Sequence, residues 1–177
     1  MRTMKHGNTR FLIVGLGLMG GSYAKALSER GYAVDGIDID STTIDYALKH
    51  GYIQRGGIVN EVSLITDADV IISCVYPRTC VNWILENQKY MKSGAYLSDI
   101  SGVKANVVEP IQTSLRKDLE FVPAHPMCGR ELRGVVYANT EMIKGANFIL
   151  TPTEKNSEEA VSFFVEFAKE LGFGKIS

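Results

Sequence analysis

The fold of this 177-residue chain is decided by the stretch Phe11-Leu12-Ile13-Val14-Gly15-Leu16-Gly17-Leu18-Met19-Gly20. Its first four residues are all apolar, which is typical of a strand that is covered on both faces of a parallel sheet. Glycines then follow in the pattern G-x-G-x-x-G, and helical spacing of apolar residues begins at Leu18. The stretch therefore predicts a strand, a tight glycine turn and a helix, in that order.

The rest of the chain alternates short β-branched runs with longer segments of helical spacing. Further strands are predicted at residues 33–38, 69–75, 95–98, 119–122 and 147–150, and further helices at 42–50, 81–88, 103–115 and 156–171. The last helix is expected to begin with a capping box of Asn156 and Glu159 and to end at Gly172. Residues 51–57 are predicted to be a loop, and residues 173–177 are strand-like. This alternation predicts an α/β fold with a doubly wound, mainly parallel sheet of the Rossmann type.

Composition excludes several classes of protein. The 19 Lys and Arg residues against 20 Asp and Glu residues give a net charge of -1. The chain therefore lacks the excess of positive charge that is typical of nucleic-acid-binding proteins. The three cysteines form no C-x-x-C pair, so neither a disulfide framework nor a metal site is indicated. We find no apolar run long enough to span a membrane and no signal peptide. The sequence predicts one domain over residues 1–177 of a cytoplasmic protein.

The glycine turn has the pattern of a dinucleotide-binding loop. Gly15 would permit the tight turn, Gly17 would let the backbone approach a pyrophosphate, and Gly20 would let the helix pack closely on the strand. Leu16, Leu18 and Met19 complete this candidate cofactor loop. A glycine-rich turn in a protein that binds no nucleotide is the alternative.

Asp38 lies at the end of the second predicted strand, 18 residues after Gly20. An acidic residue at this spacing accepts hydrogen bonds from ribose hydroxyls and repels a 2′-phosphate. Residues 39–43 contain no Arg or Lys that could bind such a phosphate. The sequence therefore predicts NAD rather than NADP as cofactor, with a solvated strand-end carboxylate as the alternative for Asp38.

A second candidate segment, Ala124-His125-Pro126-Met127-Cys128-Gly129-Arg130-Glu131, follows the strand predicted at 119–122. Ligands of open parallel sheets bind beyond the carboxyl ends of the strands, where this segment falls. A dehydrogenase that oxidises an alcohol needs a base for the hydroxyl proton, and histidine suits that role. From the residues alone, His125 is equally compatible with a catalytic role and with a structural or merely exposed one.

Four segments together resemble the prephenate/arogenate dehydrogenases of tyrosine biosynthesis. They are the G-L-M-G-G-S end of the glycine loop, residues 99–104, the H-P-M-x-G-x-E motif at residues 125–131, and residues 149–152. The resemblance implies oxidative decarboxylation of a small-molecule substrate, prephenate or arogenate. NAD would take hydride from the ring carbinol carbon, the ring carboxylate would leave as carbon dioxide, and the ring would become aromatic.

The resemblance also implies roles for individual residues. His125 matches the family's catalytic histidine, which binds the ring hydroxyl and assists its deprotonation. Glu131 would help to gate the substrate pocket, to which Gly129 also belongs. The segment Cys74-Val75-Tyr76 would lie along the nicotinamide side of the cofactor, and Ser101 near the same place.

The chain departs from the family pattern at several positions. Cys128 stands where many relatives carry Ala, and Arg130 where they carry a small residue or Ser. Val75 stands where some carry a Ser that supports the histidine, and the order Ser101-Gly102-Val103-Lys104 replaces Ser-Val-Lys. The resemblance therefore leaves the partner of His125 open. Cys128 is interpreted as a small buried filler, since the implied chemistry needs no nucleophile.

Family members continue into a helical domain that supplies dimer contacts and an arginine for a substrate carboxylate. Residues 1–177 do not include such a domain, so we expect them to be the dinucleotide-binding domain and the complete enzyme to be a homodimer. Two alternatives stay open: a β-hydroxyacid dehydrogenase of the 3-hydroxyisobutyrate/6-phosphogluconate type, and a non-catalytic NAD-binding module. The first would use a lysine base in the missing domain instead of His125.

Overall fold

The computed structural model describes residues 4, 8–129 and 131–177 of the chain. In this part of the chain, six strands form one parallel sheet in the order β3-β2-β1-β4-β5-β6. Their bounds are Arg10–Val14 (β1), Ala33–Asp38 (β2), Arg55–Ile58 (β3), Val70–Ser73 (β4), Tyr96–Asp99 (β5) and Glu120–Phe121 (β6). The chain builds outward from β1 in one direction and then from β4 in the other. The prediction of a doubly wound parallel sheet is confirmed.

Six α-helices cover the two faces of this sheet in the described residues. They are Leu18–Glu29 (α1), Ser41–Lys49 (α2), Val62–Asp67 (α3), Pro77–Asn87 (α4), Val108–Ser114 (α5) and Glu158–Leu171 (α6). Side chains of β1 alternate between the faces: Phe11 and Ile13 pack with α1, α2 and α6, whereas Leu12 and Val14 pack with α3, α4 and α5. All four are buried, which explains the unbroken apolar run of this strand.

A second, two-stranded sheet lies beyond the carboxyl end of the parallel one. Strand Ala124–Met127 (β7) pairs antiparallel with Asn147–Leu150 (β8), which places His125 opposite Ile149. The strand-like character of residues 173–177 is also explained, since Phe148 and Ile176 form a parallel bridge. Strand β7 was not predicted, because Pro126 removes a backbone donor and the segment is only four residues long.

The prediction of a loop over residues 51–57 is wrong at its end, where Arg55–Ile58 forms edge strand β3 and helix α3 follows. Glycine has a low strand propensity, so the two adjacent glycines of β3 hide the strand from sequence-based prediction. Both are needed for packing: a Cβ on Gly56 would lie 2.3 Å from Cγ2 of Ile44, and one on Gly57 would lie 2.5 Å from Cβ of Glu61. The edge strand is therefore glycine-rich because helices approach it closely.

Two predicted helix starts are also corrected. Ser157 caps α6 by accepting a hydrogen bond from the backbone N–H of Ala160, whereas Asn156 instead binds backbone groups of Thr153 and Phe121. The expected end of α6 is confirmed, because Gly172 adopts the left-handed conformation with φ of 90°. Helix α5 begins at 108 rather than 103, since residues 101–104 fold around Asp99.

Two special features are absent from the described residues. None of their helices has the length and apolar character that crossing a membrane requires. None of their His, Cys, Asp and Glu side chains form a group of three or more that could hold a metal ion.

Candidate active site

A cavity of about 510 Å³ lies at the carboxyl ends of β1 and β4, where the order of the strands reverses. Ligands of doubly wound sheets bind at this switch point. The cavity brings together seven of the residues singled out from the sequence: Gly15, Gly17, Leu18, Asp38, Cys74, Val75 and Tyr76. It is closed on another side by residues 132–134, which lie far away in the sequence.

The three glycines of the loop have distinct steric surroundings. Gly15 adopts a positive φ of 89°, and a Cβ there would lie 2.6 Å from Cγ1 of Val75. A Cβ on Gly20 would lie 1.8 Å from the carbonyl oxygen of Gly15, so the helix can approach the turn only without a side chain. Around Gly17, in contrast, the described residues place no atom within 4 Å of a Cβ position. The space beside Gly17 is therefore open to a ligand.

Two other loop residues point away from the cavity. The Leu16 side chain is buried in the core, where its Cδ1 would lie 2.8 Å from a Cβ on Gly36. Only the backbone of Leu16 can therefore contribute to a cofactor site. Met19 is half-buried and its Sδ lies 4.0 Å from Sγ of Cys128, so it contacts the histidine motif instead.

Asp38 is held firmly at the mouth of the cavity. Its Oδ2 accepts a hydrogen bond of 2.7 Å from the backbone N–H of Leu16, and its Oδ1 accepts one of 3.0 Å from the backbone N–H of Asp40. The carboxylate thus couples the end of β2 to the glycine loop. Each oxygen keeps a further lone pair for a ligand hydroxyl. Beside it, the Ile39 side chain is 83% exposed and offers an apolar surface.

His125 has one ring nitrogen fixed and one free. Nδ1 lies 2.9 Å from the carbonyl oxygen of Ile100. Because a carbonyl only accepts, Nδ1 must carry the proton, and Nε2 of the neutral ring is then an acceptor. A Cβ on Gly102 would lie 3.4 Å from Nε2, so glycine keeps this side of the ring clear. The partner of His125 that the resemblance left open is a backbone carbonyl.

The structure does not bring every candidate residue to the cavity. Ser101 donates its backbone N–H to Oδ2 of Asp99, while its hydroxyl is buried without a partner in the described residues. Gly129 and Glu131 are exposed on the loop after β7. Arg130, named in the motif, lies outside the described residues. His125, Ser101, Gly129 and Glu131 do not line the cavity, and the roles assigned to all of the candidate residues stay predictions.

Sequence reasoning missed a buried ion pair behind the histidine. Nζ of Lys104 lies 2.6 Å from Oδ1 of Asp99, whose side chain is fully buried. Burial lowers the pKa of Lys104, and the charge of Asp99 opposes this effect. Asp99 and Lys104 flank four uncharged residues at the end of a buried strand, and these two opposite charges are the signal that could have indicated the pair.

Comparison with known proteins places the chain in a family. A family model described as the prephenate dehydrogenase nucleotide-binding domain matches residues 23–176. The chain belongs to this family. Prephenate dehydrogenase of Bacillus subtilis (strain 168) is 32% identical over 154 residues, which are 85% of this chain and 41% of that protein.

Solved structures of the same family confirm the fold. The crystal structure of Synechocystis arogenate dehydrogenase matches with a TM-score of 0.87 at 25% identity. Prephenate dehydrogenase from A. aeolicus, in complex with hydroxyphenyl propionate and NAD+, matches with a TM-score of 0.86 at 28% identity. Each match covers 96% of this chain and 59% of the other chain. The chain thus spans about half the length of the relatives that it resembles.

In this member of the prephenate dehydrogenase family, Arg133 is a further residue that the sequence did not indicate. It lines the cavity with Leu132 and Gly134, and its side chain forms no ion pair with any described residue. A cation placed in this way could face an anionic ligand.

The cysteines of this family member are poorly suited to nucleophilic chemistry. Burial raises the pKa of the Cys128 thiol from its ordinary value of 9.0 to about 11. Burial also raises the pKa of Cys74, with smaller contributions from Cys80 and Asp99. Since the thiolate is the reactive form, we expect both thiols to stay protonated and weakly nucleophilic at neutral pH.

Proposed function

We propose that this chain is the NAD-binding part of a cytoplasmic prephenate or arogenate dehydrogenase, with His125 as its catalytic base. The observation that carries the proposal is the hydrogen bond from Nδ1 of His125 to Ile100. That bond leaves Nε2 as an acceptor, as the removal of a hydroxyl proton requires. Membership of the family and the names of its relatives support the same chemistry.

The cavity has the residues that a dinucleotide needs. Gly17 is the N-cap of α1 and offers no side chain, so the first N–H groups of the helix are left for phosphate oxygens. Asp38 would bind the ribose hydroxyls, and Cys74-Val75-Tyr76 would lie along the nicotinamide. The NAD+ named in the A. aeolicus structure supports this choice of cofactor. Bound NAD would supply the acceptor for hydride.

The reaction then depends on His125 for one proton. Nε2 accepts a hydrogen bond from the ring hydroxyl and draws off its proton while hydride leaves the carbinol carbon. The electron pair of the bond to the ring carboxylate stays with the ring as carbon dioxide departs, which gives an aromatic phenolate. The phenolate then takes the proton back from His125. Gly102 leaves the space in which the substrate hydroxyl reaches Nε2.

We propose that a helical domain, present in the longest natural polypeptide that carries this chain, supplies the other substrate contacts and a homodimer interface. This proposal rests on the family resemblance and on the greater length of the relatives. Glu131, exposed on the loop after β7, would gate the substrate pocket beside Gly129.

The proposal is tested by assaying that longest polypeptide with prephenate and with arogenate, each with NAD and with NADP. We expect NADH to form with at least one of the two substrates. The 177-residue chain alone should bind NAD in calorimetry and show almost no turnover, because substrate positioning accounts for much of the rate. NAD binding without oxidation of either substrate by the longer polypeptide would instead favour a non-catalytic module or a β-hydroxyacid dehydrogenase.

A further inference from the structure

We propose that the buried Asp99–Lys104 ion pair is a positioning device for His125, which fixes both the backbone of the histidine and the acceptor of its Nδ1 proton. The inference deepens the proposed function, since it rests on His125 as the base. Neither residue lines the cavity, and both are hydrogen-bonded to peptide units that orient His125.

The first half of the device is a fixed peptide plane between Ile100 and Ser101. Oδ2 of Asp99 accepts a hydrogen bond of 3.1 Å from the backbone N–H of Ser101. That N–H belongs to the same planar, trans peptide unit as the Ile100 carbonyl, and the two point in opposite directions. When Asp99 holds the N–H on one side, the carbonyl on the other side is aimed at Nδ1 of His125.

The second half is the peptide plane between Ala124 and His125. Nζ of Lys104 donates a hydrogen bond of 2.6 Å to the Ala124 carbonyl oxygen, and the Ala124 N–H donates one of 3.2 Å to Oδ1 of Asp99. Since the Ala124 carbonyl shares its peptide plane with the His125 N–H, Lys104 orients the histidine backbone. One ion pair therefore anchors the histidine at two separate points.

The burial of the pair favours a role in geometry over a role in stability. The Asp99 side chain is fully buried and that of Lys104 is 16% exposed. Removing two charges from water costs free energy that their attraction often fails to recover, and apolar replacements of buried pairs are often neutral or stabilising. What an apolar pair could not supply is the set of directed hydrogen bonds to Ser101 and Ala124.

The first test measures the ring tautomer of His125 by nitrogen NMR of the isotope-labelled chain, without cofactor or substrate. His6→Asn and His50→Asn identify the other two imidazole signals. In the wild-type chain we expect Nδ1 protonated and Nε2 unprotonated at a pH where the ring is neutral. Proton on Nε2 in the wild-type chain would overturn the proposal.

Two variants then break the device in different ways. Lys104→Met removes the bond to Ala124, and Asp99→Asn, an isosteric change, weakens the hold on the Ser101 N–H. Each should give a mixture of His125 tautomers and should lower the kcat of the longest natural polypeptide by about ten- to a hundredfold, with the KM for NAD little changed. If Lys104→Met does not fold, Asp99→Asn carries the test.

A matched control is available at the opposite end of the sheet. Nζ of Lys92 lies 2.7 Å from Oδ1 of Asp69, so Lys92→Met breaks a pair of the same chemistry far from His125. It should leave both the tautomer and kcat unchanged. If Asp99→Asn folds and keeps the wild-type tautomer and kcat, the pair is merely structural. If instead the tautomer shifts while His125→Asn spares turnover, the proposed catalytic role fails and the positioning stands.

Discussion

His125 has Nδ1 bonded to the backbone and Nε2 without a hydrogen-bond partner among the described residues, so its replacement can separate the roles of the two ring nitrogens. In His125→Asn, the amide nitrogen can still donate to the Ile100 carbonyl, but no acceptor remains in the position of Nε2. We expect turnover of the longest natural polypeptide to fall by about a hundred- to ten-thousandfold, with NAD affinity nearly unchanged. Steady-state kinetics and calorimetry measure the two quantities.

A second histidine controls for the loss of an imidazole as such. His50→Asn is the matched control, because His50 lies at the end of α2 and stacks on Tyr46 away from the cavity. A variant with weaker NAD binding and normal turnover would make His125 a cofactor contact.

Asp38 provides a negative charge to the cavity and a hydrogen-bond acceptor to the Leu16 N–H, and substitutions can separate these two roles. We expect the wild-type chain to bind NAD at least about tenfold more tightly than NADP, a difference of ~1.4 kcal/mol. Asp38→Asn keeps an oxygen that can accept from the Leu16 N–H but removes the negative charge, so it should narrow this difference. Adding Ile39→Arg should then favour NADP, because a guanidinium would face the 2′-phosphate.

Calorimetry with both dinucleotides on the purified chain checks the Asp38 prediction. Asp45→Asn, an exposed carboxylate on α2, is the control for a general loss of negative charge. Equal affinities of the wild-type chain for NAD and NADP would contradict the role of Asp38.

The residues of this site differ in how far the sequence indicates them. Gly15, Gly17, Gly20 and Asp38 have fixed spacings that follow from the strand, the turn and the helix, so a pattern suffices. The acceptor for His125 is a backbone carbonyl, which every residue possesses, and no sequence pattern can single out Ile100. Prediction therefore reaches side chains with special chemistry and misses the backbone that orients them.

At the level of elements, the contact of α1 with the glycine turn depends on two glycines with opposite surroundings. A Cβ on Gly20 would overlap the Gly15 carbonyl, so Gly20→Ala must push the helix away and should cost about 1–3 kcal/mol of unfolding free energy. Gly17 has open space around it and an ordinary φ of -67°, so Gly17→Ala should leave stability nearly unchanged. It should still weaken NAD binding, because its methyl group would occupy the space of the phosphates.

Urea unfolding and calorimetry on the two variants check this contrast. Gly17→Ala is the control for the effect of an added methyl group on unfolding free energy. Gly20→Ala shows how displacement of helix α1 changes unfolding free energy and NAD binding. A Gly17→Ala chain that binds NAD as tightly as the wild-type chain would place the phosphates elsewhere.

Elements with strong periodicity were predictable, and those built by tertiary contacts were not. Strand β2, strand β8 and helix α1 match their predicted bounds within a residue, because apolar spacing or β-branched runs mark them. Strand β3, with the sequence Arg-Gly-Gly-Ile, and strand β7, with a central proline, have poor intrinsic strand character. They exist because β3 pairs with β2 and packs against α2, whereas β7 pairs with β8.

At the scale of the whole molecule, one wall of the cavity comes from a segment more than a hundred residues beyond the glycine loop. The Ser22 hydroxyl accepts a hydrogen bond of 2.9 Å from the Asn139 N–H, and a Cβ on Gly21 would lie 3.0 Å from Cβ of Ala138. Small residues on α1 thus let the chain after β7 return over the helix, which brings Arg133 to the cavity. No local pattern indicates such a contact, so the sequence predicted the glycine loop and Asp38 but not residues 132–134 as part of the cavity.

Alkaline pH should destabilise the whole molecule through its buried thiols. Burial raises the pKa of Cys80 from 9.0 to about 12 and that of Cys128 to about 11. Between pH 9 and 11 these thiols therefore stay protonated in the folded chain but lose their protons in the unfolded chain. Their contribution to the unfolding free energy is complete below pH 9 and decreases as the pH rises above 9. The lowered pKa of Lys104 makes the unfolding free energy rise with pH instead, but this single group opposes the two buried thiols.

Urea unfolding of the wild-type chain at a series of pH values from 8 to 11 measures this fall. For the fully buried Cys80 the slope is at most about 1.4 kcal/mol per pH unit. Cys80→Ala should lower stability at every pH through the lost packing, yet it should flatten the decline above pH 9, because the thiol that titrates only on unfolding is gone. A decline of the same steepness in Cys80→Ala would show that other groups, such as the buried Tyr23, dominate the alkaline transition, since burial raises the pKa of that phenol as well.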